Sequence, residues 1–288
     1  MYLAHFGLAE RPFALTPDTA YVFSTRAHQE ALNTLLIAAD AGEGFIKITG
    51  EVGTGKTLLC RRFLAALAGR GADFLTCYLP NPNLTPRTLM LALAEELGET
   101  LPASANQYTL HKTINQRLLA LAAENRRVVV CLDEAQALSL ESLEALRLLS
   151  NLETEKRKLM QVVLFGQPEL DTKLQRTDLR QLRQRIAFAY RLHGLSQSEL
   201  GFYVEHRLRV AGHVGAAVFS AAAIRRLHRA SDGTPRLVNI LAHKALLAVF
   251  GEGGAGVERR HVRAAERDGD AWAAPRRGWL GWLGWRLR

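Results

Sequence analysis

"GEVGTGKTLLC" (residues 50–60) is the stretch from which the fold can be read. Gly50, Gly53, Gly55, Lys56 and Thr57 satisfy the G-x-x-x-x-G-K-[ST] spacing of a phosphate-binding loop. Glycines at these places allow a tight turn and let backbone N–H groups face an anion. Lys56 adds a point charge for the β- and γ-phosphates, and the Thr57 hydroxyl is a hard oxygen suited to Mg²⁺. The expected contact set therefore runs Gly50, Glu51, Val52, Gly53, Thr54, Gly55, Lys56, Thr57 and Leu58. The flanks agree. "FIKIT" (45–49) is a short apolar, β-branched run, so a strand enters the loop. "LLCRRFLAALAG" (58–69) spaces its apolar residues as a helix does and ends in Gly69, so a helix leaves it.

The chain has 288 residues, 48% hydrophobic and 23% charged, an ordinary globular balance with room for two domains. Cys60, Cys77 and Cys131 stand far apart in apolar segments, and no C-x-x-C occurs, so reduced core thiols are expected. The opening "MYLAHFGLAERPF" lacks the basic start and apolar run of a signal peptide. No apolar run approaches the roughly 18 residues of a membrane-spanning helix. A cytoplasmic protein is expected. The formal net charge is +9. It is uneven, because residues 259–288 hold eight Arg against three acids.

Further strand-like runs follow at "DFLTCYL" (73–79), "RVVVCLD" (127–133), "MQVVLFG" (160–166) and "IAFAYRLHGL" (186–195). Helical patterns lie between them, around 85–98, 107–124, 139–157 and 169–184. Strands alternating with crossover helices predict an α/β fold, a parallel sheet covered on both faces. From residue 196 the strands stop and helices follow, with Ser196 and Ser220 placed as N-caps. "GEGGAG" (251–256) reads as a break before a short helix near 257–267. The expected divisions are an N-terminal segment (1–30), a nucleotide-binding core (31–195), a helical lid (196–267) and a basic Trp-rich tail (268–288).

Four further places carry chemistry. "VVVCLDEA" (128–135) is an apolar strand ending in two acids. Asp133 is placed to hold Mg²⁺ directly or through water, and Glu134 to polarise an attacking water. "DEAQ" (133–136) also matches a helicase box, but the other helicase motifs are absent. Gln167 follows a central strand in "LFGQPEL", where a polar side chain can sense a γ-phosphate or simply open a loop. "LRQLRQRIAF" (179–188) offers Arg180, Arg183 and Arg185, whose guanidinium forks suit developing phosphoryl charge. A solvated basic face or a nucleic-acid patch is the plainer alternative. Arg236, after Pro235, sits in a first helical turn; an exposed Arg there is unexceptional, but the helix dipole mildly disfavours a cation, a misfit that favours a job on the nucleotide.

In this order, and followed by helices, these elements resemble the AAA+ ATPases. More narrowly, "MYLAHFGLAERPFALTPDTAYVF", "GFIKITGEVGTGKTLLCR", "LDEAQ", "GQPEL", "LRQRI" and "GTPRLVN" closely resemble the general secretion pathway protein A family, and within it the MshM-type subgroup that serves biogenesis of the mannose-sensitive haemagglutinin (MSHA) type IV pilus. The resemblance covers roughly residues 1–250. It implies a P-loop NTPase core with a helical lid, and hydrolysis of ATP with Mg²⁺. Lys56, Thr57 and Asp133 are implied to bind nucleotide and metal, with Glu134 acting in hydrolysis. Gln167 takes the sensor 1 position and Arg236 sensor 2. Arg185 is the arginine-finger candidate, with Arg183 next. Phe13 and Pro17 in the N-terminal segment are implied to lie near the adenine, although plain core packing explains an aromatic there equally well. The implied partners are further copies of the chain, with nucleotide at the interfaces, and inner-membrane pilus or secretion proteins. Long family members continue into a transmembrane helix and a peptidoglycan-binding domain. This sequence shows neither, so cell-wall binding is not carried over.

One alternative belongs to another class. Transposition-target ATPases share this core and coat DNA in an ATP-dependent way, and residues 173–193 hold six Lys or Arg against one Asp. No recognition-helix motif accompanies that stripe. The end of the chain, "PRRGWLGWLGWRLR" (275–288), repeats Trp at 279, 282 and 285 among leucines and arginines. On a helix these give a broad apolar face with a basic rim, suited to the headgroup zone of the inner membrane's cytoplasmic surface; a loose tail, or Trp packing back on the lid, is the plainer alternative.

Overall fold

A computed structural model describes residues 2–15, 21, 23–80, 83–153 and 158–268. The five apolar runs are the strands β1 (Phe45–Gly50), β2 (Phe74–Leu79), β3 (Arg127–Leu132), β4 (Met160–Gly166) and β5 (Ile186–Leu192). All pair in parallel, in the order β2-β3-β4-β1-β5. Each parallel neighbour requires a crossover, and the crossover helices bury both faces of the sheet. The central strand β4 is accordingly buried along its whole length, whereas edge strand β5 is fully buried only at Leu192. The expected run to residue 195 stops there.

The helices are α1 (Tyr2–His5), α2 (Arg26–Ala41), α3 (Lys56–Ala68), α4 (Pro86–Glu96), α5 (Gln107–Ala123), α6 (Leu140–Leu149), α7 (Pro168–Leu174) and α8 (Arg180–Gln184), followed by α9 to α12 below. Leu32 and Leu35 of α2, with Leu59 and Phe63 of α3, pack on Ile46, Ile48, Val129, Val163 and Phe165 of one sheet face. The opposite face, with Val128, Val130, Val162 and Leu164, is covered by Leu93, Ile114, Leu146, Leu170 and Leu182 from α4 to α8. Side chains of Thr25, Thr85, Asn106 and Ser139 cap the N-termini of α2, α4, α5 and α6. Each satisfies a backbone donor that the helix itself leaves open. Cys60, Cys77 and Cys131 are free and buried.

Two helical expectations need correction. The stretch 139–157 is helical only to Leu149, where Ser150 donates its hydroxyl to the Arg147 carbonyl 2.7 Å away and Asn151 follows in a turn. Ser and Asn compete with the backbone for hydrogen bonds and so favour helix ends. The stretch 169–184 is broken into α7, a 3₁₀ turn at Thr177–Leu179, and α8.

Helices α9 (Gln197–Val210), α10 (Ala221–Ser231), α11 (Pro235–Glu252) and α12 (Arg259–Arg267) follow the sheet. Ser196 caps α9 in a reciprocal capping box with Glu199, and Ser220 caps α10. Helix α11 runs into the glycine-rich stretch as far as Glu252, just before Gly253 at φ +67°. The described residues of Met1–Tyr21, Ser196–Gly233 and Leu237–Arg288 form one compact unit, and those of Val22–Leu195 with Thr234–Arg236 form the other. Within the helical unit, Ala9 N–H donates to the Ala211 carbonyl at 2.8 Å, and Arg207 Nε donates to the Pro12 carbonyl. The N-terminal segment up to Tyr21 thus belongs with these helices, while α2 opens the sheet unit. The Trp-rich stretch lies outside the described residues, among which no helix is long and apolar enough to cross a membrane.

Candidate nucleotide-binding site

The loop between β1 and α3 leaves the sheet at the C-terminal end of a strand, where open α/β sheets place their ligands. Gly53 and Gly55 have φ of +83° and +95°, values that a side chain would strain. A Cβ at Gly50 would lie 2.8 Å from Thr54 Oγ1 and 2.9 Å from the Leu192 carbonyl, so a side chain there would push the loop off β5. Thr54 Oγ1 in turn donates to the Glu51 carbonyl at 2.8 Å and ties the turn across. Lys56, the first residue of α3, is buried and donates to the carbonyls of Gly50 (2.8 Å) and Glu51 (3.0 Å). Burial lowers its pKa, against the opposing pull of Glu134, Asp133, Glu51 and Glu169. A buried ammonium beside half-buried loop glycines is a ready partner for phosphate oxygens.

The acid pair meets this loop. Thr57 Oγ1 donates to Asp133 Oδ2 at 2.6 Å, bringing two hard oxygens together, the donor chemistry that Mg²⁺ takes. Asp133 is buried, and its backbone N–H extends the β2–β3 ladder by donating to the Leu79 carbonyl at 3.0 Å. Glu134 then turns sharply into the left-handed region at φ +53° and donates its N–H to Asp133 Oδ1 at 3.0 Å. A non-glycine residue in that region is locally strained, a cost that folds tolerate chiefly at working sites. Glu134 Oε2 accepts from Gln136 Nε2 at 2.6 Å and from Gln167 Nε2 at 3.0 Å. Gln167 stands at the N-cap of α7, yet its side chain reaches Glu134 rather than capping the helix. The Gln167 N–H donates to Gln136 Oε1 at 2.9 Å and closes the network.

Arg236 is exposed on α11, and its Cβ abuts the point where a Cβ on Gly53 would stand. Arg185 Nη1 makes a long contact, 3.5 Å, with Ser150 Oγ, while Arg183 and Arg180 are exposed. Leu58 is half-buried and Val52 half-exposed at the rim. Phe13 is buried edge-on against Phe219, with ring centroids 6.0 Å apart, inside the helical unit. Pro17 lies outside the described residues.

Gln136 and His28 also stand in this site, and the sequence reading passed over both. The string "DEAQ" carries Gln136, but by itself it matches only a helicase box. His28 follows the capping Thr25 by three residues, which says only that it begins a helix.

The Glu134 contacts have a measurable consequence. Burial alone would raise its pKa, but the hydrogen bonds from Gln136 and Gln167, with the charge of Lys56, bring it below the ordinary glutamate value. Because the folded value is depressed, these contacts contribute stability above the unfolded carboxyl range and lose it as pH falls through the folded value. Carboxyl ¹³C NMR of the nucleotide-free protein should find Glu134 titrating below ordinary glutamates. Gln136→Leu should move that titration upward. An unmoved titration would show that Gln136 does not hold the carboxylate.

Three comparisons bear on this geometry. The AAA domain family model matches residues 39–174. General secretion pathway protein A of Aeromonas hydrophila is 44% identical over 253 residues, which cover 88% of this chain and 46% of that protein. The chain therefore spans about half the length of that relative. Among solved structures, the Aeropyrum pernix ORC2 protein in its ADPNP–ADP complexes superposes with a TM-score of 0.64 at 19% identity, over 93% of this chain and 74% of that one. Drosophila ORC bound to DNA gives 0.65 at 20%, over 91% and 65%. The Thermotoga maritima RuvB branch migration motor gives 0.54 at 16%, over 85% and 69%. At such identities the structural likeness speaks for the fold alone. That fold, the phosphate loop facing an acid pair, and the identity to protein A together place the chain: it belongs to the AAA+ ATPases, in the family of general secretion pathway protein A.

Proposed function

We propose that the chain binds ATP with Mg²⁺, hydrolyses it at interfaces between copies of itself, and uses turnover to drive or time assembly of an inner-membrane machine, an MSHA-type type IV pilus or a related secretion apparatus. The observation that carries the chemistry is the 2.6 Å approach of Thr57 Oγ1 to Asp133 Oδ2 beside buried Lys56. The link to pilus and secretion rests on sequence similarity.

In this reading the loop amides and Lys56 hold the β- and γ-phosphates. Thr57 and Asp133 hold Mg²⁺, which would screen the phosphate charge. Glu134, with Oε2 restrained by two amide donors, presents Oε1 to a water. The water oxygen bonds to the γ-phosphorus and its proton passes to Glu134. The bond from the γ-phosphorus to the bridging oxygen breaks, and ADP leaves with the electron pair. Gln167 spans the acid and the γ-phosphate, and Arg236 approaches the loop from the start of α11. Arg185, or Arg183, is supplied by a neighbouring copy, where an arginine on the transferring group is worth about 10³–10⁵ in rate.

Lys56→Ala should lose ATP binding, while Glu134→Gln should bind ATP and not turn it over, since an amide cannot take the water's proton. The ATP-loaded Glu134→Gln form should bring pilus or secretion assembly proteins out of cells. Parental turnover by Glu134→Gln would overturn the catalytic role, and co-purification of DNA instead would overturn the assembly role.

A finger supplied in trans makes activity rise faster than linearly with protein concentration. Mixing Arg185→Ala with Glu134→Gln should then restore some turnover, because mixed interfaces can pair an intact Glu134 with an intact Arg185. Strict proportionality, with monomers throughout by light scattering and no rescue, would rule this out.

We also propose that the tail docks the protein on the cytoplasmic face of the inner membrane. Arg276, Arg277, Arg286 and Arg288 would each contribute about 1 kcal/mol toward anionic headgroups, with Trp279, Trp282 and Trp285 in the interfacial zone. The full chain should co-sediment with anionic liposomes and a chain cut after Pro275 should not. Equal partitioning would refute it.

A further inference from the structure

His28 is buried, 9% exposed, in the first turn of α2, and its ring joins two elements. Nε2 lies 2.9 Å from the Thr54 carbonyl oxygen in the phosphate loop, and Nδ1 lies 2.7 Å from Thr25 Oγ1. A carbonyl can only accept, so Nε2 must carry the proton toward Thr54. Thr25 Oγ1 already accepts from the His28 backbone N–H at 3.1 Å, and its own hydrogen is then directed to Nδ1. The N-cap of α2 thereby sets the ring's tautomer and orientation, and the ring grips the loop.

The grip falls on a peptide unit that matters. In a planar trans peptide the carbonyl and the following N–H point in opposite directions. Holding the Thr54 carbonyl against His28 therefore turns the Gly55 N–H away from the imidazole, and loop amides so turned are the groups that receive an anion. The fit is close, since a Cβ on Gly55 would come within 2.8 Å of Nε2. Gly55 is thus demanded twice, by its φ of +95° and by the imidazole beside it.

We infer that His28 is a positioning residue of the phosphate loop, which holds the Thr54 carbonyl through Nε2–H and so aims the Gly55 N–H at the nucleotide phosphates. The inference rests on the ATP-binding reading above. A donor aimed at phosphate acts on bound substrate and transition state alike, so its loss falls on affinity more than on kcat.

The test uses the full chain with Mg²⁺, a fluorescent ATP analogue for Kd, and ATP for kcat and KM. His28→Phe keeps a ring without the donor and should weaken binding about ten- to a hundredfold, with kcat at saturation within about threefold of the parent. His28→Gln places an amide N–H near the Nε2 position and should restore affinity to within about threefold. Nucleotide-free melting of each variant separates misfolding from a lost contact. Should His28→Phe not fold, the parent alone decides: its Gly55 amide proton should move downfield on adding MgADP or pyrophosphate, and an unmoved Gly55 signal would overturn the inference. So would parental affinity in His28→Phe, or affinity in His28→Gln no better than in His28→Phe. Lys56→Ala run alongside keeps the two questions apart. If it binds nucleotide as the parent does, the ATP reading itself falls; if it does not and His28→Phe does, only the role of His28 falls.

Discussion

The hydrogen bond from Thr57 to Asp133 joins the first turn of α3 to the end of β3, 2.6 Å across a gap that the chain spans with 76 residues. It marks where the two halves of the site meet. β1, which delivers the loop, and β3, which delivers the acids, are not neighbours in the sheet; β4 lies between them. Gln167, one residue past β4, therefore emerges between loop and acids, within 3.0 Å of Glu134. Sheet order alone puts a phosphate cradle, a carboxylate pair and an amide side by side at one end of three parallel strands.

Burial gives these groups their character. Lys56 loses water and its charged form is disfavoured, yet four acids around it pull the other way. The net effect lowers its pKa, and phosphate oxygens at the loop would favour its charged form. Glu134 shows the mirror image. Burial pushes its pKa up, but two amide donors and Lys56 bring it below the ordinary glutamate value. A base held ionised, with one oxygen restrained, suits work on a water molecule.

The loop is supported from behind as well as in front. Thr54 ties to Glu51, and His28 reaches across from α2 to the Thr54 carbonyl. Lys47 of β1 pairs with Asp171 of α7, which steadies the helix that follows Gln167. These contacts limit how far the loop can relax, and pre-set donors cost little to order when a ligand arrives.

Much of this was legible from residues alone. Glycine spacing, the lysine and the hydroxyl state a phosphate loop because only those residue types meet its backbone and charge demands, and the alternation of apolar runs with helical periods states a covered parallel sheet. Ser196 and Ser220 marked helix starts because their hydroxyls do locally what helix ends require. Where local signals competed, the reading overran: polar turns at Ser150 and Thr177 ended helices that the apolar spacing would have continued. What lies between distant residues was invisible. That Gln136 holds Glu134, and that His28 holds the phosphate loop at Thr54, 26 positions further on, follows only from strand order and helix packing. A sequence motif records chemistry that one short segment must carry by itself. A partner brought in from another element is chosen by tertiary packing, and almost any polar side chain of the right reach can fill the place, so no pattern announces it.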